Sequence, residues 1–450
     1  MPLDTLDFDP GLVAAKLQPL TGQPVVLGLS GGGDSLALFL IAAGWARQSN
    51  TPLTPVIIDH GLRARSADDA AFAAEIAIEA GFPARIVLWQ GEKPQSGIQA
   101  AARQFRLRTF AAIAAELGAR AILLGHTLDD QAETLWMRLQ AGGDKDALTV
   151  MAEYSPLPLW PEGRGLSVMR PLLGVRRAQL RHWLVSGKQT WRDDPSNENS
   201  AFTRVRNRRT LSRLENEGLD IDRLAALADA MRRERLQEQT QAGQIFLKTF
   251  ALQTWGGLRL QRQIILSAPP DIADHALDAA RAAVSGDPSP RLDSARHLRA
   301  ALQAESPATV AGVALTLHKK DWYLVRDPGA VSGRADQSAR MDMRNIVGGK
   351  LIWDDRLTVS DVKAEIKLLG KTYPANLSSR DLDDVPAIAR PGLPLLQNAR
   401  GDFSIPGLTP DGDPKHHWLT DELICRNLFA DQPPAAFRTQ LREQTAQGSH

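Results

Sequence analysis

Cysteine is nearly absent from this chain: Cys425 is alone among 450 residues. A disulfide framework, a CxxC redox pair and a multi-cysteine zinc site are thereby excluded. The nucleotide-loop pattern G-x-x-x-x-G-K-[ST] does not occur, so a Walker-type phosphate loop is excluded as well. No apolar run approaches the roughly 18 residues that a membrane-crossing helix needs. The opening residues MPLDTLDFDP are acidic and lack the basic and apolar regions of a secretory signal, so a soluble cytoplasmic protein is expected. A charge excess is missing too. The formal net charge is +1, so any polyanion site must come from local clustering. No internal repeat is visible.

What remains is an ordinary globular composition, 43% hydrophobic and 23% charged, long enough for two or three domains. Four short apolar runs, PVVLGLS (24–30), LTPVIIDH (53–60), ARIVLW (84–89) and RAILLGH (120–126), read as buried strands. Between them lie Ala/Leu-rich stretches of helical spacing. Such alternation predicts an α/β fold, with an N-terminal parallel sheet flanked by helices and ligands at the strand C-termini. A helix is expected over 129–140, and SPLPLWPEG (155–163) reads as a loop. The texture turns helical after about residue 211, alternates like a β-hairpin at 309–329, and passes through a linker-like stretch at 330–345. Three domains are expected: a catalytic one over 1–212, a mainly helical one over 213–330, and a small α+β one over 345–441.

Residues 28–35, GLSGGGDS, follow the first strand. Two readings overlap there. Gly28-Leu29-Ser30-Gly31-Gly32 fits the G-x-S-x-G nucleophile elbow of α/β-hydrolases. Ser30, Gly31, Gly32, Gly33, Asp34 and Ser35 also fit SGGxDS, a pyrophosphate-binding loop. In that second reading the glycines expose backbone N–H groups to an anion and the following helix adds its positive end. Both serines can donate to phosphate oxygens, and Asp34 suits the magnesium that accompanies a polyphosphate. A hydrolase also needs a downstream acid and histidine, and none of the nine histidines sits in a persuasive setting, so the loop favours pyrophosphate binding. A tight strand-to-helix turn with a capping Asp34 or Ser35 is the plain structural reading.

Residues 125–134 read GHTLDDQAET at the end of a strand and the start of a helix. Asp130 and Glu133 are three apart and project from one helix face, with Asp129 nearby. Grouped carboxylates there can hold a cationic amine or accept its proton; single acidic residues in a first turn are ordinary capping. His126 at the strand tip can donate to a phosphate. Further on, WRDDPSNENSAFTRVRNR (191–208) carries a polar turn followed by Arg204, Arg206, Arg208, Arg209 and Arg213. With Arg177 and Arg181 upstream these suggest a basic patch that positions phosphates, though a solvated helix face explains clustering equally well.

Taken in order, SGGGDS (30–35), DHGLRARS (59–66), IQAAARQFR (98–106), GHTLDDQAET (125–134), RPLL (170–173) and DPSN with its arginines (194–208) resemble the tRNA(Ile)-lysidine synthetases of the ATP pyrophosphatase superfamily. The resemblance spans the first 210 residues. It implies an adenine nucleotide α-hydrolase-like domain that uses ATP and Mg2+ on tRNA(Ile) bearing CAU and on free L-lysine. ATP would adenylate C2 of the first anticodon cytidine, and the lysine amine would displace AMP to give lysidine. It also implies roles: Ser30 to Ser35 and Asp59 for the nucleotide, Asp34 for magnesium, His126 for adenylation, Asp130 and Glu133 for lysine. Arg204 and Arg208 would steady the intermediate, with Arg103, Arg106 and Arg206 toward the tRNA. No membrane and no obligate protein partner are implied. The chain departs from the family pattern at Thr127, where a second histidine is usual, at Leu107, where a tyrosine is usual, and in AGGDKDAL after the acidic helix. Alternatives are another tRNA-modifying or adenylating enzyme of the superfamily, a hydrolase using Ser30, and a non-catalytic tRNA-binding protein.

Overall fold

The structure, a computed structural model, describes residues 7–62, 65–94, 96–143, 145–192, 203–332, 344–347, 349–361, 363, 365–374, 377–397, 401–409, 415–429, 437–441 and 443, with the backbone alone at 203, 204, 344–347 and 379. Contacts divide the chain into two compact units, Met1–Arg235 and Leu236–His450.

The first unit opens with α1 (Pro10–Lys16), β1 (Val25–Gly28) and α2 (Gly33–Ser49), followed by β2 (Leu53–Asp59), α3 (Ser66–Glu79) and β3 (Arg85–Leu88). Next come α4 (Ile98–Leu117), β4 (Ala121–Leu123), α5 (Leu128–Gln140) and the short α6 (Lys145–Leu148). Strands β5 (Tyr154–Pro156) and β6 (Ser167–Met169) precede α7 (Arg177–Ser186), α8 (Thr203–Asn216) and α9 (Ile221–Thr249), whose C-terminal half lies in the second unit. The strands form one sheet in the order β3-β2-β1-β4-β6-β5. All neighbours are parallel except β5, which runs antiparallel to β6 at the edge. Ser155 and Pro156, expected in a loop, form part of β5 instead. An edge strand accommodates Pro156 because that side of the ladder needs no donor.

Alternate residues of β1 show why the sheet is covered on both faces. Val25 and Leu27 enter one core with Leu36 and Phe39 of α2, Ala73 of α3 and Leu180 of α7. Val26 enters the other with Phe110 and Ala114 of α4, Ile122 and Val168. A strand buried on both sides is the continuous apolar run VVL, and full burial of each such side chain contributes about 1.5–3 kcal/mol. The chain runs outward from β1 through β2 to β3, then crosses through α4 to β4 on the other side of β1. The reversal makes the β1/β4 pair a topological switch point, with a crevice beyond the strands' C-terminal ends.

The second unit is built on three antiparallel sheets. β7 (Phe250–Leu252), β8 (Leu258–Leu260), β9 (Ala308–Val310), β10 (Val313–His318) and β11 (Asp321–Arg326) order as β7-β8-β11-β10-β9, with α10 (Arg262–Ser267), α11 (Pro270–Ser285) and α12 (Leu292–Gln303) between β8 and β9. The alternation at 309–329 contains the β10–β11 hairpin. After α13 (Pro328–Ser332), β12 (Arg344–Val347), β13 (Lys350–Trp353) and β14 (Leu357–Val359) lead to β15 (Glu365–Leu368), β16 (Pro394–Gln397), β17 (Phe403–Ser404), β18 (His416–Trp418) and α14 (Thr420–Phe429). Two sheets result, β12-β13-β14-β18 and β15-β16-β17. Arg326 grips the buried Asp354 carboxylate through Nε at 2.9 Å and Nη2 at 2.8 Å, and Arg356 Nε adds 2.7 Å. This charge cluster is paired on every side, as a buried carboxylate requires.

Candidate active site

Leu29 to Gly32 connect β1 to α2 at the switch point. Gly31 takes φ +79°, a conformation that strains any side chain but not glycine. The turn is tied internally: Ser30 N donates to Ser35 Oγ at 3.1 Å, the two hydroxyls meet at 2.9 Å, and Ser35 Oγ donates to the Gly32 carbonyl at 3.0 Å. Among the described residues no histidine hydrogen-bonds Ser30, so the Ser–His pair of a nucleophile elbow is not assembled. Instead the turn delivers the N-terminus of a 17-residue helix capped by Gly32, where no side chain takes up the free N–H groups. The segment at Trp191 and Arg192 lies against the turn: Arg192 N donates to Gly31 O at 3.0 Å, and a Cβ on Gly33 would stand 3.5 Å from the Trp191 ring. The DPSN residues 194–197 that follow lie outside the described residues, as do Arg63 and the side chain of Arg204.

On the other side of the switch point, β4 passes through Gly125 and His126 into α5. Gly125 sits hard against the first turn of α2. A Cβ there would come within 3.0 Å of the Asp34 carbonyl oxygen and 3.1 Å of Ser35 Cα. Thr127, fully buried, caps α5 in a capping box, with Asp130 Oδ2 accepting from Thr127 N at 2.8 Å and from its hydroxyl at 3.1 Å. At the family's second histidine position the chain therefore carries a helix cap. The T-x-x-D spacing was a readable signal of it.

The two helix N-termini bring Asp34 of α2 together with Asp130 and Glu133 of α5, and one guanidinium lies among them. Arg177 Nε donates to Asp34 at 2.9 Å, Nη2 to Asp130 at 3.1 Å and Nη1 to Glu133 at 3.4 Å. Arg208 of α8 donates through Nε to Glu133 at 2.7 Å. Glu133 is 2% exposed and Asp130 6%. Burial raises the Asp34 carboxyl above its ordinary range and Arg177 pulls the other way, with burial prevailing. Burial opposes the Arg177 charge too, but Asp130, Asp34 and Glu133 outweigh it and hold the guanidinium firmly protonated. Asp129 is turned elsewhere, accepting from the Arg177 backbone N–H at 2.7 Å and so fixing the start of α7.

The remaining anticipated residues spread along the rim. Asp59 ends β2 beside β1 and its Oδ1 accepts from Gly61 N at 2.8 Å. His126 is half-buried at the tip of β4. Arg103 is exposed on α4, and Arg106, further along α4, lies beside His60. His60, Trp89 and Phe105 form an aromatic cluster there, with Trp89 and Phe105 stacked at 5.5 Å. Burial and the charges of Arg106 and Lys93 push the His60 imidazole below its ordinary value, against Asp59. Arg206 points outward from α8. The structure thus gathers Asp34, Asp130, Glu133 and Arg208 at one point and leaves Arg103 and Arg206 at the surface. Arg177, anticipated as part of a phosphate-facing patch, instead binds carboxylates. Its neighbourhood depends on tertiary placement that spacing does not reveal.

A glycine turn opening a helix at the switch point of a parallel sheet, faced by carboxylates from the next strand's helix, defines a nucleotide-using PP-loop domain. The PP-loop domain family matches residues 12–215. A tRNA(Ile)-lysidine synthase from Caulobacter vibrioides is 32% identical over 394 residues, covering 86% of this chain and 87% of that protein. One from Bradyrhizobium diazoefficiens is 44% identical over 211 residues, covering 46% of this chain and 57% of that protein. Among solved structures, a U34-tRNA thiolase from Methanococcus maripaludis covers 50% of this chain and is itself covered over 77%, at 17% identity and a TM-score of 0.42. The chain belongs to the tRNA(Ile)-lysidine synthase family, PP-loop enzymes that use ATP. Among the described residues no helix is long and apolar enough to cross a membrane.

Proposed function

We propose that this protein joins free L-lysine to C2 of the first anticodon cytidine of tRNA(Ile) bearing CAU, in the cytoplasm, in two steps. In the first, the C2 oxygen attacks the α-phosphorus of ATP, the bond to pyrophosphate breaks, and an adenylated cytidine forms. In the second, the lysine ε-nitrogen bonds to C2, the C2–O bond to AMP breaks, and the amine's proton leaves to a carboxylate. A target base in an anticodon loop is already single-stranded, which lowers the cost of exposing C2.

The observation that carries this reading is the convergence of Asp34, Asp130 and Glu133 at the mouth of the glycine turn. An ammonium has three donors and no acceptor, so it suits a pocket of carboxylate oxygens. An amine with an ordinary pKa near 10.4 must lose a proton to attack, and Asp130 or Glu133 would take it. The N–H groups of Gly31 to Gly33, the hydroxyls of Ser30 and Ser35 and the α2 N-terminus would hold the phosphates. Asp59 would border the nucleotide, and His126 would meet the α-phosphate. Arg208 and Arg204 would steady the adenylate, and Arg103, Arg106 and Arg206 would approach the tRNA backbone.

A magnesium ion fits the donor set, because such ions take one or two carboxylates and complete their shell with phosphates and water. Asp34, a hard oxygen donor beside the turn, would hold it, and the ion would neutralise charge on the pyrophosphate. A direct test is tRNA-dependent release of pyrophosphate from ATP. Release with tRNA(Ile) bearing CAU and none without it is expected; release indifferent to the tRNA, or ester hydrolysis lost in Ser30→Ala, would contradict the proposal.

A further inference from the structure

Arg177 occupies the place where a cationic substrate would enter. Its three guanidinium nitrogens diverge onto three carboxylates, Asp34 at 2.9 Å, Asp130 at 3.1 Å and Glu133 at 3.4 Å. An arginine that served one anchoring partner would pair bidentately, as Arg326 does with Asp354. Here a single cation is shared among three acids from two helices. The residue is 16% exposed at its side chain and hangs from the first position of α7, whose N–H is pinned by Asp129. Its backbone is thus fixed independently of where the guanidinium lies. Asp130 keeps two bonds from Thr127 and Glu133 keeps Arg208 when Arg177 lets go, so neither carboxylate depends on it for satisfaction.

From this geometry we infer that Arg177 is a competing internal cation. It holds the carboxylates together before the substrates bind, and an entering ammonium or divalent ion must take one or more of them from it. Arg177 is in this sense a positioning residue that sets the apparent affinity for the amine. Three carboxylates face Arg177 and Arg208, and Arg181 also acts on Asp34, so an entering cation gains chiefly by exchanging with Arg177. A primary ammonium has three donors and no acceptor in a compact head, so it can take one or two of these acids from Arg177. The inference rests on the reading of this pocket as the amine site, and the experiment separates the two.

The full-length protein, Arg177→Gln and Arg177→Lys are titrated with L-lysine and, separately, with MgCl2, against NaCl of matched ionic strength, following thermal stability. One displaced charge-assisted hydrogen bond corresponds to about tenfold in affinity. Half-saturation by either cation is therefore expected at about tenfold lower concentration in Arg177→Gln, with Arg177→Lys in between. In lysine transfer the KM for lysine should fall while kcat also falls; a purely structural role would lower the active fraction and leave KM and the cation titrations unmoved. Unchanged or weaker cation binding in Arg177→Gln overturns the inference. Should that variant not fold, Arg177→Lys carries the same test, because its compact ammonium cannot span all three acids; unchanged half-saturation there overturns the inference equally. Tighter Mg2+ binding in the variant, with no lysine transfer by the unaltered protein, would support this inference while refuting the proposed reaction.

Discussion

Replacing Glu133 by Gln removes a charge shared by two guanidiniums. Glu133 accepts from Arg208 Nε at 2.7 Å and from Arg177 Nη1 at 3.4 Å, and it is 2% exposed. Gln keeps one acceptor oxygen, so Arg208 retains a hydrogen bond from its charged donor but loses the ion pair. Removing the acceptor's charge weakens each such bond by about 1 kcal/mol. The Arg208 side chain is 34% exposed, so solvent screens part of its share. The expected loss is about 1–2 kcal/mol, read in calorimetry as a Tm lowered by roughly 2–8 °C for a unit of this size. The variant should still release pyrophosphate in the presence of tRNA and ATP, since the phosphate turn is untouched. Lysine transfer should fall by about a hundredfold or more, the usual contribution of a positioned base. Unchanged Tm together with wild-type lysine transfer would refute both the electrostatic account and the assignment.

Two further changes probe the frame around the pocket. Gly125→Ala places a methyl group 3.0 Å from a backbone oxygen of α2; a loss of about 1–3 kcal/mol is expected in calorimetry, with a raised KM for ATP because the phosphate turn shifts. Asp34→Asn tests the raised carboxyl pKa. Burial makes the folded protein hold that proton more tightly than the unfolded chain, whose ordinary value is 3.8. Stability is then lost as pH rises from that value through the raised pKa, and the loss persists above it. A pH series of Tm should show the Asn variant losing less stability than the parent across that window, while pyrophosphate release falls; an identical pH profile would contradict it.

Much of the first unit was legible because its signals are local. VVL before a glycine turn reads as a buried strand, and a spacing of three placed Asp130 and Glu133 on one helix face. Other features depend on distant placement. That β4 lies beside β1, bringing Asp34 to Asp130, follows from a crossover whose side no short pattern records. Arg177 looked like a phosphate ligand because it sits among arginines in sequence, yet α7 delivers it to acids on α2 and α5. The strands Phe250–Leu252 and Leu258–Leu260 are three residues each, too short for alternation to register within helical surroundings.

The central claim is tested most directly by incubating the full-length protein with ATP, magnesium, radiolabelled L-lysine and tRNA(Ile) carrying CAU. Label bound to the tRNA, dependent on ATP and absent when the first anticodon base is not cytidine, is the predicted result. A folded protein that binds ATP yet leaves the tRNA unlabelled would contradict it.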